Sequence, residues 1–200
     1  MKHNHITHEN CIVLLMGIAG AGKRTVGEAL SKMTHFKFVP CDSWMDPILY
    51  LLGNDASIMW ALDEKGWHKL NDARDVIFST IADVCPKTSN FIITFEMLDK
   101  DPYHQIFYDK VVEIVEKRQA IFVPVRLICD ENELVNRVVA EDRKKHFKTG
   151  DVNLVRKRVR EQSVFYSNHS NELTINNTNK TPQQVVKLIV EHLDQINRVI

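Results

Sequence analysis

Gly17-Ile18-Ala19-Gly20-Ala21-Gly22-Lys23 sets three glycines and a lysine directly behind the apolar run Cys11–Met16 and ahead of a helix-like segment. Glycines let the backbone curl until successive N–H groups converge on one point. The start of the following helix adds its positive dipole end there. Such a nest holds phosphate oxygens, and the mobile Lys23 ammonium adds a full charge to it. The spacing G-x-x-x-x-G-K is that of a P-loop, in the strand–loop–helix context the motif requires. One residue departs from the pattern. Where a Ser or Thr hydroxyl normally ligates Mg²⁺, this chain has Arg24, and Thr25 follows as a hydroxyl available to an inner phosphate. The plainer reading is a Gly-rich turn that joins a strand to a helix.

Few other groups in the chain carry chemistry suited to a phosphate. No apolar run ends in the Asp that commonly accompanies a P-loop. The run Phe91–Phe95 is followed by Glu96, which makes Thr94 and Glu96 the candidates beside a terminal phosphate. Asp99 and Asp101 stand ahead of Pro102 and read as turn residues. Between Arg137 and Arg160, nine Lys/Arg stand against three Asp/Glu, either a lid that closes on a polyanion or a solvated helix surface. Cys11, Cys41, Cys85 and Cys129 form no C-x-x-C pair, so neither a disulfide framework nor a zinc site is expected. His3, His5 and His8 read as part of a polar tail. Trp44, Trp60 and Trp67 serve either core packing or an aromatic pocket.

The elements that must position these groups alternate along the chain. Strands are predicted at Cys11–Met16, Phe36–Pro40, Phe91–Phe95, Ala120–Cys129 and Leu173–Asn176. Helices are predicted over about 23–33, 43–52, 71–85, 103–118, 131–142, 154–165 and 182–196. Phe107, Val111, Ile114 and Val115 make the apolar stripe of the fourth. Nearly continuous apolar strands separated by helices imply a parallel sheet covered on both faces. Ligands of such sheets lie at the carboxyl ends of the strands, so Gly17–Lys23, Cys41–Trp44, Glu96–Asp101, the region after Cys129 and Asn176–Thr181 are the loops that matter. Residues 1–10 read as a flexible tail and 11–200 as a single domain.

With these features the chain resembles the small P-loop kinases, the group of shikimate, gluconate and adenylate kinases. The resemblance rests on the P-loop, the five-strand rhythm and the segment Arg137–Asp151. It is nearest to uncharacterised kinase-like ATP-binding proteins with the pattern R-L-x-C-x-x-x-E-L-x-x-R-V, here Arg126-Leu127-Ile128-Cys129 through Glu133-Leu134 to Arg137-Val138. The resemblance implies a P-loop NTPase three-layer sandwich with a five-stranded parallel sheet, acceptor-side helices over about 42–85 and a basic lid over about 137–160. It implies that Gly17, Ala19, Gly20, Ala21, Gly22, Lys23, Arg24 and Thr25 line the nucleotide. Arg137 would pack on adenine, and Arg143 would reach the transferred phosphoryl group. Asp42 would meet the acceptor hydroxyl or a metal-bound water; the alternative is an N-cap of the next helix, and the two roles are compatible. ATP is the implied cofactor, with Mg²⁺ held by Asp42, Glu96 or water in place of the missing hydroxyl, or by the phosphates alone.

The function expected is transfer of the γ-phosphoryl group of ATP to a small-molecule acceptor, with Lys23, Asp42 and Arg143 as the catalytic set. Such transfer asks a protein mainly for positioning and cationic stabilisation. The alternatives are a nucleotide-binding regulatory module without transfer, suggested by Arg24, and action on nucleic-acid ends, suggested by the basic segment. Lys+Arg 26 against Asp+Glu 26 leaves no net charge to recruit nucleic acid or a membrane surface. Nucleotide and small-molecule acceptor are therefore the expected partners, in a reducing cytoplasm.

Overall fold

The computed structural model describes residues 8–53, 58–139 and 147–197. Five strands, β1 (Cys11–Gly17), β2 (Lys37–Pro40), β3 (Phe91–Glu96), β4 (Ile121–Ile128) and β5 (Leu173–Asn176), form one sheet in the order β2-β3-β1-β4-β5. Every pairing in it is parallel. Between the strands lie α1 (Lys23–Thr34), α2 (Asp42–Leu52), α3 (Ile58–Ala61), α4 (Glu64–Ser79), α5 (Pro102–Arg118), α6 (Glu131–Val138) and α7 (Val152–Glu161), with α8 (Pro182–Asn197) last.

Alternation along β1 builds both layers of the core, because successive strand residues point to opposite faces. Cys11, Val13 and Leu15 face α1 and α8, meeting Val26, Leu30, Val186, Ile189 and Leu193. Ile12, Leu14 and Met16 face the other way, toward Phe78, Phe107, Val111 and Ile114 of α4 and α5. Cys11 to Met16 are all fully buried, as the continuous apolar run required.

Two predicted elements moved. The helix expected from Asn71 begins at Glu64, because Asp63 caps it by accepting from the Gly66 N–H at 2.8 Å. It runs into a π-helical turn, Thr80–Val84, and the carbonyls of Ile81 in that turn and of Cys85 just after it accept from the buried Arg118 guanidinium. The helix expected over 154–165 starts at Val152, where the Asp151 carboxylate accepts from two first-turn N–H groups. It ends at Glu161, and Val164 and Phe165 instead give their carbonyls to Arg126 of β4. The stretch expected to carry α6 on to Asp142 lies outside the described residues.

The start of the chain also differs from the expectation. His8 is buried against the Phe36 ring edge, and the Asn10 side chain donates to the Arg118 carbonyl at 2.8 Å. Residues 8–10 are thus docked at the foot of the sheet. Among the described residues no helix is long and apolar enough to cross a membrane.

Candidate functional site

Strand register brings the loops of interest together. Gly17 at the end of β1 pairs with Glu96 at the end of β3, and Pro40 of β2 pairs with Thr94. On the other side Ile128 of β4 pairs with Asn176 of β5. The P-loop therefore leaves the sheet centre, flanked by Asp42 and Glu96 on one side and by Asn177 on the other.

The loop closes as a nest. The Ala21 N–H donates to the Ile18 carbonyl at 3.1 Å, and Gly20 and Gly22 take φ +86 and +81. A side chain at Gly20 would also collide with Val138, whose Cγ1 would lie 2.9 Å from the added carbon. Gly22 is the N-cap of α1 and no side chain caps that helix, so its first-turn amides are offered to a ligand. Lys23 folds over the loop, donating from Nζ to the Gly17 and Ile18 carbonyls at 2.8 and 3.0 Å. Thr25 is exposed on the first turn of α1.

Arg24 is held between two carboxylates. Its Nη1 pairs with Asp42 Oδ2, and its Nε donates to Glu28 Oε1 at 2.9 Å. Lys148, from the basic segment, reaches the same Asp42 oxygen at 2.9 Å. Burial alone would raise the Asp42 pKa, but Lys148 and Arg24 outweigh it and hold the carboxyl below its usual range. The other oxygen, Oδ1, meets the weak donor Cys41 Sγ at 3.5 Å. Cys41 takes the N-cap position of α2 and no side chain caps that helix, so Asp42 is not its cap; two cations draw the carboxylate elsewhere.

Glu96 is committed as well. Oε1 accepts from the Ala19 N–H of the P-loop at 3.0 Å, and Oε2 accepts from Arg158 Nη1 of α7 at 2.7 Å. Asp101 caps α5 and Asp99 accepts from the Tyr166 N–H, which leaves both in structural roles. Thr94 is buried within β3. Thus the two carboxylates expected to take Mg²⁺ are each paired with cations of the chain, and Arg24 replaces the hydroxyl. Among the described residues no cluster of three or more His, Cys, Asp or Glu could hold a metal ion. The residues fit a phosphate chain well and a protein-ligated Mg²⁺ poorly.

Arg137 closes the other side. Its Nη2 donates to the Asn177 and Thr178 carbonyls at 3.1 and 3.4 Å, and Glu133 steadies its Nε at 2.8 Å. Buried Asn177 donates from Nδ2 to the Ala21 carbonyl at 2.8 Å, tying the β5 exit to the P-loop. Arg137 Nη1 and Asn177 Nδ2 both come within 4 Å of where a Gly22 side chain would stand. Arg143 lies outside the described residues, as does the side chain of Trp60. Trp44 packs in the core against Phe78 and Phe107, whereas Trp67 lies against Tyr103 with ring centroids 5.7 Å apart.

Two contributors were undervalued in the sequence. Lys148 and Arg158 looked like members of a solvated basic run, yet each reaches a carboxylate at the loop. Arg74, a buried arginine elsewhere in the fold, was passed over. It occupies the buried face of α4 between Leu70 and Phe78, pairs with Asp75 at 2.8 Å, and keeps a buried Nη1 without a hydrogen-bond partner. An arginine spaced four residues from both Leu70 and Phe78 was the available clue.

The chain matches no protein-family model and no curated protein. Solved structures match over nearly its whole length. A candidate kinase from Chloroflexus aurantiacus j-10-fl superposes with TM-score 0.66 at 15% identity, covering 94% of this chain and 98% of its own. A gluconokinase from Sinorhizobium meliloti 1021 gives TM-score 0.62 at 15% identity, covering 94% of each chain. A shikimate kinase from Acinetobacter baumannii, in complex with shikimate, gives 0.55 at 17% identity, with 95% and 96% covered. With its parallel five-stranded sheet and its nest between β1 and α1, the chain has the P-loop NTPase α/β fold that these kinase structures share.

Proposed function

We propose that the chain is an ATP-dependent phosphotransferase that acts on a small molecule. The observation that carries this reading is the uncapped start of α1 behind a Gly-rich nest, with Lys23 folded over it and Glu96 steadying the Ala19 amide. Backbone amides would hold the inner phosphates, and Lys23 would swing from the loop carbonyls to bridge the outer ones. Arg137, beside Gly22 and Asn177, is suited to one face of an adenine ring. Arg143 is proposed from the sequence alone as the group that reaches the transferred phosphoryl.

Asp42 suits a positioning role on the acceptor. With Oδ2 taken by two cations its pKa is depressed, which makes it a poor base, while Oδ1 has acceptor capacity for a hydroxyl. A loose transition state needs little deprotonation before transfer. Any Mg²⁺ arriving with nucleotide would be held by phosphates rather than by Asp42 or Glu96. Four free cysteines fit a reducing cytoplasm.

The test is coupled turnover of ATP against a panel of sugars, sugar acids, carboxylated cyclitols and nucleotides, with Lys23→Ala as control. Transfer to one acceptor class, lost by about a hundredfold or more in the variant, is the expected outcome. A second reading, nucleotide binding without transfer, is favoured by one observation: Arg24 pairs with the carboxylate that would face an acceptor. Tight ATP binding with no transfer to any acceptor would select it.

A further inference from the structure

We propose that the Arg24 guanidinium, held by Asp42, is a built-in cation that replaces the divalent metal at this P-loop, so that the site takes up metal-free ATP. The inference rests on the nucleotide reading and concerns what accompanies the nucleotide. In a P-loop the residue after the lysine normally supplies the hydroxyl that ligates the metal. Here that residue carries the cation itself. From the first turn of α1 its side chain spans to Asp42, at the exit of β2, and its Nη1 pairs with Oδ2.

Three further facts point the same way. Lys148 shares the Asp42 oxygen at 2.9 Å, so a divalent ion approaching that carboxylate would meet two cations already paired with it. Glu96 is closed on both oxygens, by the Ala19 amide and by Arg158. Among the described residues no other cluster of metal-binding side chains exists. A guanidinium also suits the task, since its planar fork matches phosphate oxygens and it stays charged at any working pH. Asp42 then orients the fork, and Glu28, half-exposed one turn along α1, adds a second tether at 2.9 Å.

Calorimetry with ATP, in excess EDTA and in excess Mg²⁺, decides the matter. Wild-type affinity should agree within about threefold between the two conditions. Arg24→Ser restores a hydroxyl and removes the charge; its affinity in EDTA should fall about tenfold or more and be recovered by Mg²⁺. Arg24→Lys keeps the charge and should remain metal-independent. Thermal unfolding of each variant establishes that it is folded, and should Arg24→Ser fail to fold, the wild-type comparison alone decides. Wild-type binding that weakens more than about tenfold in EDTA overturns the inference and leaves the nucleotide reading standing. An Arg24→Ser variant that binds free ATP as tightly as wild type overturns it too. Absence of ATP binding in both conditions overturns the inference together with the nucleotide reading.

Discussion

Glu96 and Arg158 meet at 2.7 Å although they stand 62 residues apart in the chain. The same carboxylate holds the Ala19 amide through its other oxygen, so α7 and the P-loop share one clamp. A helix of the basic segment is thereby registered against the Gly-rich loop between β1 and α1.

Removing that clamp should loosen both ends. Glu96→Gln keeps size and one acceptor but loses the charge that Arg158 pairs with. ATP affinity is expected to fall about tenfold, roughly 1.4 kcal/mol, with little change in thermal stability, because the pair is partly solvated. Calorimetry beside a melting curve checks this; unchanged affinity would mean that the clamp does not shape the loop.

Gly20→Ala tests the geometry of the nest. The new side chain would have to adopt φ +86 and would crowd Val138 Cγ1 at 2.9 Å and the Leu134 carbonyl at 3.1 Å. Left-handed strain with overpacking should cost about 1–3 kcal/mol. The melting midpoint should drop and ATP binding weaken in parallel. A variant as stable as wild type would contradict the described loop.

Asp42 gives the site a signature in acid. Its folded pKa lies below its unfolded value of about 4, so the stability it contributes is present above that value. The contribution is lost as pH falls through the lower folded pKa, when Lys148 and Arg24 lose their partner. Asp42→Asn should lose about 1–3 kcal/mol at neutral pH. The gap between wild type and variant should narrow below about pH 4. Chemical denaturation at a series of pH values measures both, and a gap that widens in acid would contradict the pairing.

Arg137→Ala should separate the base from the phosphates. The side chain reaches carbonyls of the Asn177–Thr178 loop, on the β5 side of the P-loop. Affinities for ATP, ADP and AMP should all fall by a similar factor, about three- to tenfold, while affinity for inorganic triphosphate stays level. Loss confined to the triphosphates would instead assign Arg137 to phosphate binding.

Much of this architecture was legible in the residues. The P-loop spacing, the apolar strands and the stripe of Phe107, Val111 and Ile114 each reflect a local rule: phosphate geometry, double-sided burial and helical period. What escaped depends on contacts far apart in the chain. Glu64–Leu70 is too polar to announce a helix, and only the cap at Asp63 starts it. Lys148 and Arg158 resemble any solvated charge until the fold brings Asp42 and Glu96 beneath them. Arg74 is an arginine on an apolar face, a position that periodicity alone treats as an interruption.

Arg118 bears on handling the protein. Its guanidinium gathers the carbonyls of Ile81, Cys85 and Pro86 and also meets the Asn10 side chain, which answers by donating to the Arg118 carbonyl. The stitch lies at the foot of the sheet, before the first residues of β1, β3 and β4, and residues 8–10 belong to it. Trimming the gene to begin at Cys11 would therefore cut away part of the protein's foundation. An affinity tag is better spliced after α8 than set tight against His8.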